Sequence, residues 1–209
     1  MKENLANEKT GTAGTHRKTF KQRFSPKRLA VMGVFVALSF AVSLLEIPMP
    51  LFGAGFLKLD FGNVFIVLIS FLLGPIEGVL VCLFKEGLRC LSSSSLCAGE
   101  IANFVITSSY LLLPAIAYSY KRTLKTVLIT LSISCIIATG FALLANRFVI
   151  FPVYAYVFGG SIFGMTVQEA FSAFWVAVLL FNLIKTVAVG VLTLLLYKRL
   201  SNFLKKFKI

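Results

Sequence analysis

Phe181-Asn-Leu-Ile-Lys185 lies in the middle of an otherwise apolar stretch that runs from 170 to 197. This length and composition predict a membrane-spanning helix, because about 20 apolar helical residues cross the hydrocarbon core of a bilayer. An ammonium at that depth costs roughly 2.5–3.5 kcal/mol, so Lys185 is expected to have a partner or a ligand. Asn182 and Lys185 are three residues apart and therefore lie on one face of the helix.

The overall composition also indicates an integral membrane protein. Of 209 residues, 58% are hydrophobic and only 14% are charged, which is a balance that a water-facing globular surface does not have. The net charge of +13 could indicate nucleic acid, but the 21 Lys and Arg residues cluster at the ends of apolar runs. Basic residues in such positions are topology signals, so the sequence predicts a lipid bilayer and no nucleic acid as its surroundings.

Six apolar segments along the chain predict an all-α integral membrane protein with six transmembrane helices. A polar, basic leader, 1–27, precedes them and is predicted to be a disordered cytosolic tail, followed by a membrane domain from 28 to 209. Gly74-Pro75 separates the second segment from the third. The predicted segments are 28–46, 61–73, 76–91, 101–120, 126–146 and 170–197.

The basic residues also predict the orientation of these helices. They are concentrated in the leader, between the fourth and fifth segments and after the sixth, whereas the opposite loops carry few, chiefly Lys58 and Arg147. Because positive charge is retained in the cytosol, both termini are predicted to be cytosolic, in agreement with an even number of spans. Lys85 and Arg89 depart from this pattern, and pairing with the nearby Glu86 could explain them.

Two segments on the predicted outer side are too apolar for ordinary solvated loops. Residues 47–56 contain two prolines in their first half and two glycines in their second half, and they fit either a lid over a cavity or a re-entrant packing element. Residues 147–169 contain five aromatic side chains between Phe148 and Phe158. These could line a site or anchor the chain at the membrane interface, and anchoring is favoured.

No catalytic or metal-binding arrangement is recognisable. The four cysteines show no CxxC spacing and the single histidine, His16, lies in the leader, so neither a zinc site nor a histidine-dependent nucleophile is predicted. We therefore expect no metal, no cofactor and no catalytic residue. The cysteines are expected to be buried thiols that act as small hydrophobic residues; they are Cys82, Cys90, Cys97 and Cys135.

Two other classes of protein remain as alternatives. An intramembrane enzyme would need clustered carboxylates or a nucleophile–base pair within one span. The carboxylates Glu77 and Glu86 are nine residues apart and have no histidine partner. A solitary secondary carrier would be expected to show a charged relay or an internal repeat, and neither is recognisable.

Three polar residues are candidates for one buried cavity. Asn146 ends the fifth predicted segment on the side from which the sixth helix enters, so it could lie near Asn182 and Lys185. Snorkelling or internal pairing of Lys185 is the alternative to a ligand role. The ligand role is favoured because the lysine is central in its segment and several carboxylates lie elsewhere, namely Glu77, Glu100 and Glu169.

Five motifs follow one another in unbroken order between about Lys27 and Lys206. They are Leu57-Lys-Leu-Asp60-Phe-Gly-Asn-Val64, Leu73-Gly-Pro-Ile-Glu-Gly-Val-Leu80, Gly99-Glu-Ile-Ala-Asn-Phe104, Asn146-Arg-Phe-Val-Ile-Phe-Pro-Val-Tyr154 and Phe181-Asn-Leu-Ile-Lys185. In this order and spacing the chain resembles the riboflavin-specific S components of energy-coupling factor (ECF) vitamin transporters, which are substrate-binding membrane subunits.

The resemblance implies a six-helix subunit of the bacterial plasma membrane that captures riboflavin from outside. Asn146, Asn182 and Lys185 match the family positions that hydrogen-bond the polar edge of the isoalloxazine ring. Their chemistry suits that edge, which has carbonyl acceptors and one N–H donor. Lys58 and Asp60 are expected to face the ribityl hydroxyls. The same fold binding another vitamin or a flavin nucleotide is the alternative, although a phosphate would demand more cations.

The resemblance further implies docking on a transmembrane coupling protein and two cytosolic ATPase subunits. Gly33, Ala37 and Ala41 recur every four residues along the first segment, a pattern of small residues that permits close helix approach. They are therefore the expected docking surface, with packing against another span of this chain as the alternative. Transport would be driven by ATP hydrolysed in the partner subunits, so the chain itself is not expected to be an enzyme.

Overall fold

The computed structural model of the chain describes residues 24–49, 54, 57–93 and 96–206. Most of the predicted leader, 1–23, lies outside them. Within the described residues one short antiparallel hairpin accompanies the helices. The elements are α1 (Pro26–Ser43), β1 (Ile47–Pro48), β2 (Lys58–Leu59), α2 (Asn63–Leu72), α3 (Pro75–Cys90), α4 (Ala98–Tyr120), α5 (Leu124–Ala145), a π-helical segment (Asn146–Ile150), α6 (Phe151–Val157) and α7 (Val167–Lys206).

Every predicted apolar segment is helical in the structure, which confirms the all-helical class of the protein. Among the described residues, four helical segments are long and apolar enough to cross a membrane. The apolar helix α2 is shorter, with ten residues. The four candidate spans are Pro26–Ser43, Ala98–Tyr120, Leu124–Val157 and Val167–Tyr197.

The first helix, α1, has one buried face and one exposed face. The buried side chains recur every three or four residues, as expected where a single helical stripe packs against the bundle; they are Arg28, Met32, Phe35, Ser39 and Ser43. Gly33, Ala37 and Ala41 are exposed. The small residues of α1 therefore lie on the face that points away from the other described helices and do not pack against them.

Helices α2 and α3 are separated at Gly74, where the backbone turns sharply. Gly74 has a φ of 135°, in the region that residues with a Cβ rarely adopt. Pro75 then occupies the start of α3, where its missing N–H and fixed φ are tolerated. The Gly-Pro pair thus ends one apolar helix and begins the next, as the sequence predicts.

The fifth predicted segment does not end at Asn146, so its predicted boundary is wrong. The backbone remains helical from Leu124 through the π-helical segment and α6 to Val157. Pro152 cannot donate the hydrogen bond of a regular α-helix, and the wider π turns lie immediately before it. Within the segment predicted as an interfacial loop, Phe148 and Tyr156 are exposed whereas Phe151 is fully buried in the core.

The expectation that all four cysteines are free thiols is wrong for two of them. Cys90 and Cys97 form a disulfide, with their Cα atoms 5.0 Å apart, a separation that suits the bond. The pair closes the connection between α3 and α4. Cys82 and Cys135 are free and buried, as predicted.

The segment predicted as a lid or re-entrant element lies partly outside the described residues, at 50–53 and 55–56. Its first two residues pair with β2, which follows the segment, so that Ile47 pairs with Leu59 and Pro48 with Lys58 in the hairpin. Glu46 connects this hairpin to α3. Its carboxylate accepts a hydrogen bond from Lys58 Nζ at 2.5 Å and another from Arg89. Burial disfavours the charged carboxylate, but these two cations outweigh it and hold the pKa of Glu46 below its usual value.

Candidate functional site

The buried Lys185 has a partner inside the protein. Its Nζ donates a hydrogen bond to Asn103 Oδ1 at 2.5 Å, across 82 positions of sequence, and the residue is only 7% exposed. Internal pairing of Lys185, the alternative to the favoured ligand role, is therefore present in the structure, and the ligand role stays a prediction. The sequence analysis considers only carboxylates as internal partners of Lys185. Its direct partner is instead the amide of Asn103 on α4.

Asn103 connects Lys185 to two further helices. Its amide and that of Asn63, at the start of α2, exchange hydrogen bonds of 3.0 and 3.3 Å. Its Nδ2 also donates to Glu86 Oε1 on α3. One amide on α4 thus holds side chains from α2, α3 and α7 together.

Lys85 continues this polar cluster on the far side of Glu86. The Lys85 side chain is completely buried, and its Nζ donates to Glu86 Oε1 at 2.6 Å and to Asp60 Oδ2. Asp60 Oδ1 in turn accepts the backbone N–H of Gly62 at 2.7 Å. Pairing of Lys85 with Glu86 is confirmed, while Arg89 pairs with Glu46 instead.

The polar cluster is balanced in charge. It comprises the ammonium groups of Lys85 and Lys185 and the carboxylates of Asp60 and Glu86. The amide of Asn103 lies between Lys185 and Glu86. A buried ion of either sign is costly when its partner is missing, because little water remains to solvate it. With both signs present in equal number and hydrogen-bonded, the cluster can persist in an apolar bundle, and an uncharged ligand would preserve the balance.

Asn146 and Asn182 are both buried and use their amides in the same way. Asn146 Nδ2 donates to Ala142 O and Asn182 Nδ2 to Val178 O, each at 2.8 Å and four residues back along the helix. An amide that donates on one side still presents its oxygen as an acceptor. The π-helical segment that carries Asn146 packs against α4 and α7, but no hydrogen bond joins Asn146, Asn182 and Lys185 within the described residues.

The helix that carries Lys185 is held against α4 by a buried tyrosine. Tyr110 Oη donates to the backbone oxygen of Thr186 at 2.9 Å. A Cβ at Gly190 would lie only 2.6 Å from that hydroxyl, so the glycine permits the close approach. A small cavity lies at this junction, lined by Asn63, Ile106, Thr107, Tyr110, Lys185, Thr186 and Val189.

The remaining predicted ligand residues lie near the hairpin. Lys58, on β2, pairs with Glu46 and its side chain is half exposed. Asp60 is buried in the polar cluster with Lys85. The two are near in sequence but belong to different ion-pair groups, so the structure does not join them into one ligand-facing pair.

Sequence reasoning missed three members of the polar cluster as site residues. These are Asn103, Glu86 and Lys85, all buried or half-buried on α3 and α4. A signal was present for one of them, because Asn103 is an amide within an otherwise apolar segment, as Asn182 is. Among the described residues, no group of three or more His, Cys, Asp and Glu side chains is arranged to hold a metal ion.

A bundle with four candidate spans around a buried, hydrogen-bonded polar cluster defines a multi-pass protein of the cell membrane. Polar groups at that depth mark functional sites in such proteins.

The chain belongs to the family of substrate-specific components of ECF transporters, whose family model matches residues 27–197. It is similar to the riboflavin transporter RibU of Staphylococcus aureus (strain TCH60), at 32% identity over 180 residues that cover 86% of this chain and 93% of the relative. The riboflavin transporter FmnP of Bacillus subtilis (strain 168) is 23% identical over 183 residues, covering 86% and 95%.

A solved structure shows that the likeness extends to the fold. It is the S component of a bacterial ECF transporter, and it superposes with a TM-score of 0.70 at 32% identity. The match covers 86% of this chain and 98% of that chain. The resemblance on which the expected fold and class rest is thereby confirmed.

Proposed function

We propose that this chain binds riboflavin from the extracellular side and mediates its uptake as the S component of an ATP-driven ECF transporter. The observation that carries the proposal is the 32% identity to a riboflavin transporter across 86% of the chain. The chain's own residues are compatible with such a ligand, because α7 and the neighbouring π-helical segment contain buried amides and an ammonium.

The polar edge of the isoalloxazine ring is the part of riboflavin assigned to these groups. That edge offers carbonyl acceptors and one N–H donor, so it requires both donors and an acceptor from the protein. Lys185 supplies donors, and the amide oxygens of Asn146 and Asn182 supply acceptors. The backbone bonds of the two amides, at 2.8 Å each, leave those oxygens available.

The ribityl hydroxyls are assigned to the region of Lys58 and Asp60. Both side chains already have ion-pair partners, and neutral hydroxyls can add hydrogen bonds there without displacing a charge. A phosphate would require uncommitted cations, but Lys58 and Arg89 both pair with Glu46 and Arg147 lies over the rings of Phe148 and Phe171. This favours riboflavin over a flavin nucleotide.

The proposed topology has six membrane-spanning helices and cytosolic termini. In support, α2 and α3 are apolar or amphipathic helices packed within the same bundle as the four longer ones. Docking of the transmembrane coupling protein is assigned to Gly33, Ala37 and Ala41. Their exposure on α1 leaves a face of small side chains against which another helix can pack closely.

Riboflavin binding is tested by titrating the detergent-purified protein and following quenching of riboflavin fluorescence. Lys185→Ala and Asn182→Ala are each expected to weaken binding by roughly 1–3 kcal/mol, about 5- to 150-fold, if each removes a desolvated hydrogen bond. Ser172→Ala is the matched control. It lies on the same helix and makes the same kind of bond to the backbone four residues back, but it is exposed. Unchanged affinity in both site variants would remove the site assignment.

Dependence on partner subunits is tested by riboflavin uptake in cells that lack their own uptake system. Expression together with a coupling protein and both ATPases is expected to give uptake that stops when the ATPases are inactivated. Expression of this chain alone is expected to give binding without sustained uptake. Equal uptake by the chain alone would instead identify a solitary secondary carrier.

A further inference from the structure

Among the described residues, Asn103 is the one side chain that hydrogen-bonds both Lys185 and a carboxylate. Its Oδ1 accepts from Lys185 at 2.5 Å, and its Nδ2 donates to Glu86. The same oxygen accepts from Asn63 at 3.0 Å. Lys185 thus reaches the buried carboxylates of the cluster through one neutral amide rather than by direct contact.

The partners on either side determine which way this amide faces. An ammonium can only donate and a carboxylate can only accept, whereas an amide has a donor end and an acceptor end. Reversing Asn103 would place its N–H groups against Lys185 and its oxygen against Glu86, so both contacts would be repulsive. The Asn103 amide is therefore held in one orientation by charges on two different helices.

Among the described residues, this arrangement orients Lys185 and leaves part of its donor capacity unused. An ammonium has three N–H donors, and the hydrogen bond to Asn103 uses one. A carboxylate in place of the amide would pair with Lys185 as an ion pair and would compete with a ligand for it. A neutral oxygen holds the ammonium in position without pairing its charge, so the other N–H donors meet no competing carboxylate when a ligand binds.

We propose that Asn103 is a positioning residue for ligand binding, which holds the Lys185 ammonium so that its remaining donors meet the polar edge of the ligand. This inference rests on the proposed function, since Lys185 must bind the ligand directly. Asn103 contributes by fixing a donor in advance, which reduces the entropy lost on binding. Through Glu86, Lys85 and Asp60 the same hydrogen-bonded chain reaches Gly62 and the end of the hairpin.

A double-mutant cycle tests whether Asn103 acts through Lys185. Riboflavin affinity is measured for Asn103→Leu, Lys185→Met, the double variant and the parent. Asn103→Leu is expected to weaken binding roughly tenfold in the parent. In the Lys185→Met background it is expected to change affinity by less than about twofold, because no ammonium remains to be positioned. A residue with a merely structural role would cost the same in both backgrounds.

A second substitution and a control separate this outcome from misfolding. Asn103→Ala removes the amide without placing a second carboxylate beside Glu86, so it is expected to weaken riboflavin binding in the parent but not in Lys185→Met. It replaces Asn103→Leu if that variant is not recovered as a folded protein. Ser109→Ala, also on α4, is the control. Among the described residues Ser109 hydrogen-bonds only Ile106 of its own helix, so this variant is expected to bind riboflavin like the parent.

The outcomes distinguish this inference from the proposed function. If Lys185→Met binds riboflavin as tightly as the parent, the site assignment fails and the role of Asn103 fails with it. If Lys185→Met weakens binding but the Asn103 substitutions cost equally in both backgrounds, or nothing in the parent, only the positioning role is overturned.

Discussion

Lys85→Met is expected to lower the free energy of unfolding by about 3–5 kcal/mol, the cost of breaking a buried ion pair by removing one partner. Lys85 is fully buried and donates to both Asp60 and Glu86. Without its ammonium, two buried carboxylates would face each other with Lys185 as the remaining cation of the cluster. Methionine has a similar length and no charge, so the lost charge rather than a cavity accounts for the effect.

The measurement is equilibrium unfolding in mixed micelles, compared with the parent. Lys125→Met is the matched control, because Lys125 is an exposed lysine and its replacement changes the net charge equally. Adding Glu86→Gln to Lys85→Met is expected to recover part of the loss, since the cluster then again holds one cation and one carboxylate. A loss no greater than that of Lys125→Met would show that the cluster contributes little to stability.

The positions of the helices were predictable because apolar length is a local property of the sequence. The start of α7 carries a local boundary signal that the predicted bounds leave out. The helix begins three residues before the predicted 170, at Val167, where Thr166 and Glu169 exchange hydrogen bonds between their side chains and backbone N–H groups. This is a capping box, and its Thr-x-x-Glu pattern is readable in the sequence.

The predicted end of the fifth segment at Asn146 is wrong because helical backbone continues past this polar residue to Val157. Asn146 satisfies its amide on the carbonyl of Ala142, so the helix continues past it without exposing a polar group. The same kind of local bond, from Asn182 to the carbonyl of Val178, allows Asn182 to be buried within α7. A buried asparagine therefore did not mark a helix end in either case, and only its surroundings in three dimensions distinguish the two possibilities.

The partners within the site could not be predicted from spacing. Lys185 and Asn103 are 82 positions apart, and Lys85 and Asp60 are 25 apart, on segments that meet only after the bundle has packed. Pairing between adjacent Lys85 and Glu86 was predictable because it is local. Cysteine pairing was likewise undetermined, since four cysteines allow six different single disulfides and three arrangements with two disulfides, as well as none.

Arg28 is the second residue whose removal is expected to have a large effect. As a basic residue at the start of the first apolar segment, Arg28 has the position of a topology signal. In the structure, however, Arg28 is buried. Its Nη1 lies 3.3 Å from Glu77 Oε1 and its Nη2 donates to the backbone oxygen of Leu73 at 2.8 Å. The guanidinium therefore joins α1 to the Gly74 turn between α2 and α3.

Arg28→Met is expected to lower the free energy of unfolding by about 3–5 kcal/mol, because the substitution removes one partner of a buried ion pair with the carboxylate of Glu77. Lys27→Met is the matched control, since Lys27 is adjacent, exposed and of equal charge. The same unfolding measurement should show little change for it.

Glu77→Gln distinguishes an ion pair from a topology signal. Added to Arg28→Met, it is expected to recover part of the lost stability, since a neutral amide costs less than a carboxylate to bury beside the site of the missing guanidinium. A topology signal acts through positive charge near the membrane surface, and acidic residues contribute little to it. Recovery of stability by Glu77→Gln, together with a small effect of Lys27→Met, would therefore show that Arg28 acts through Glu77. Equal effects of Lys27→Met and Arg28→Met, without recovery, would assign both residues to topology alone.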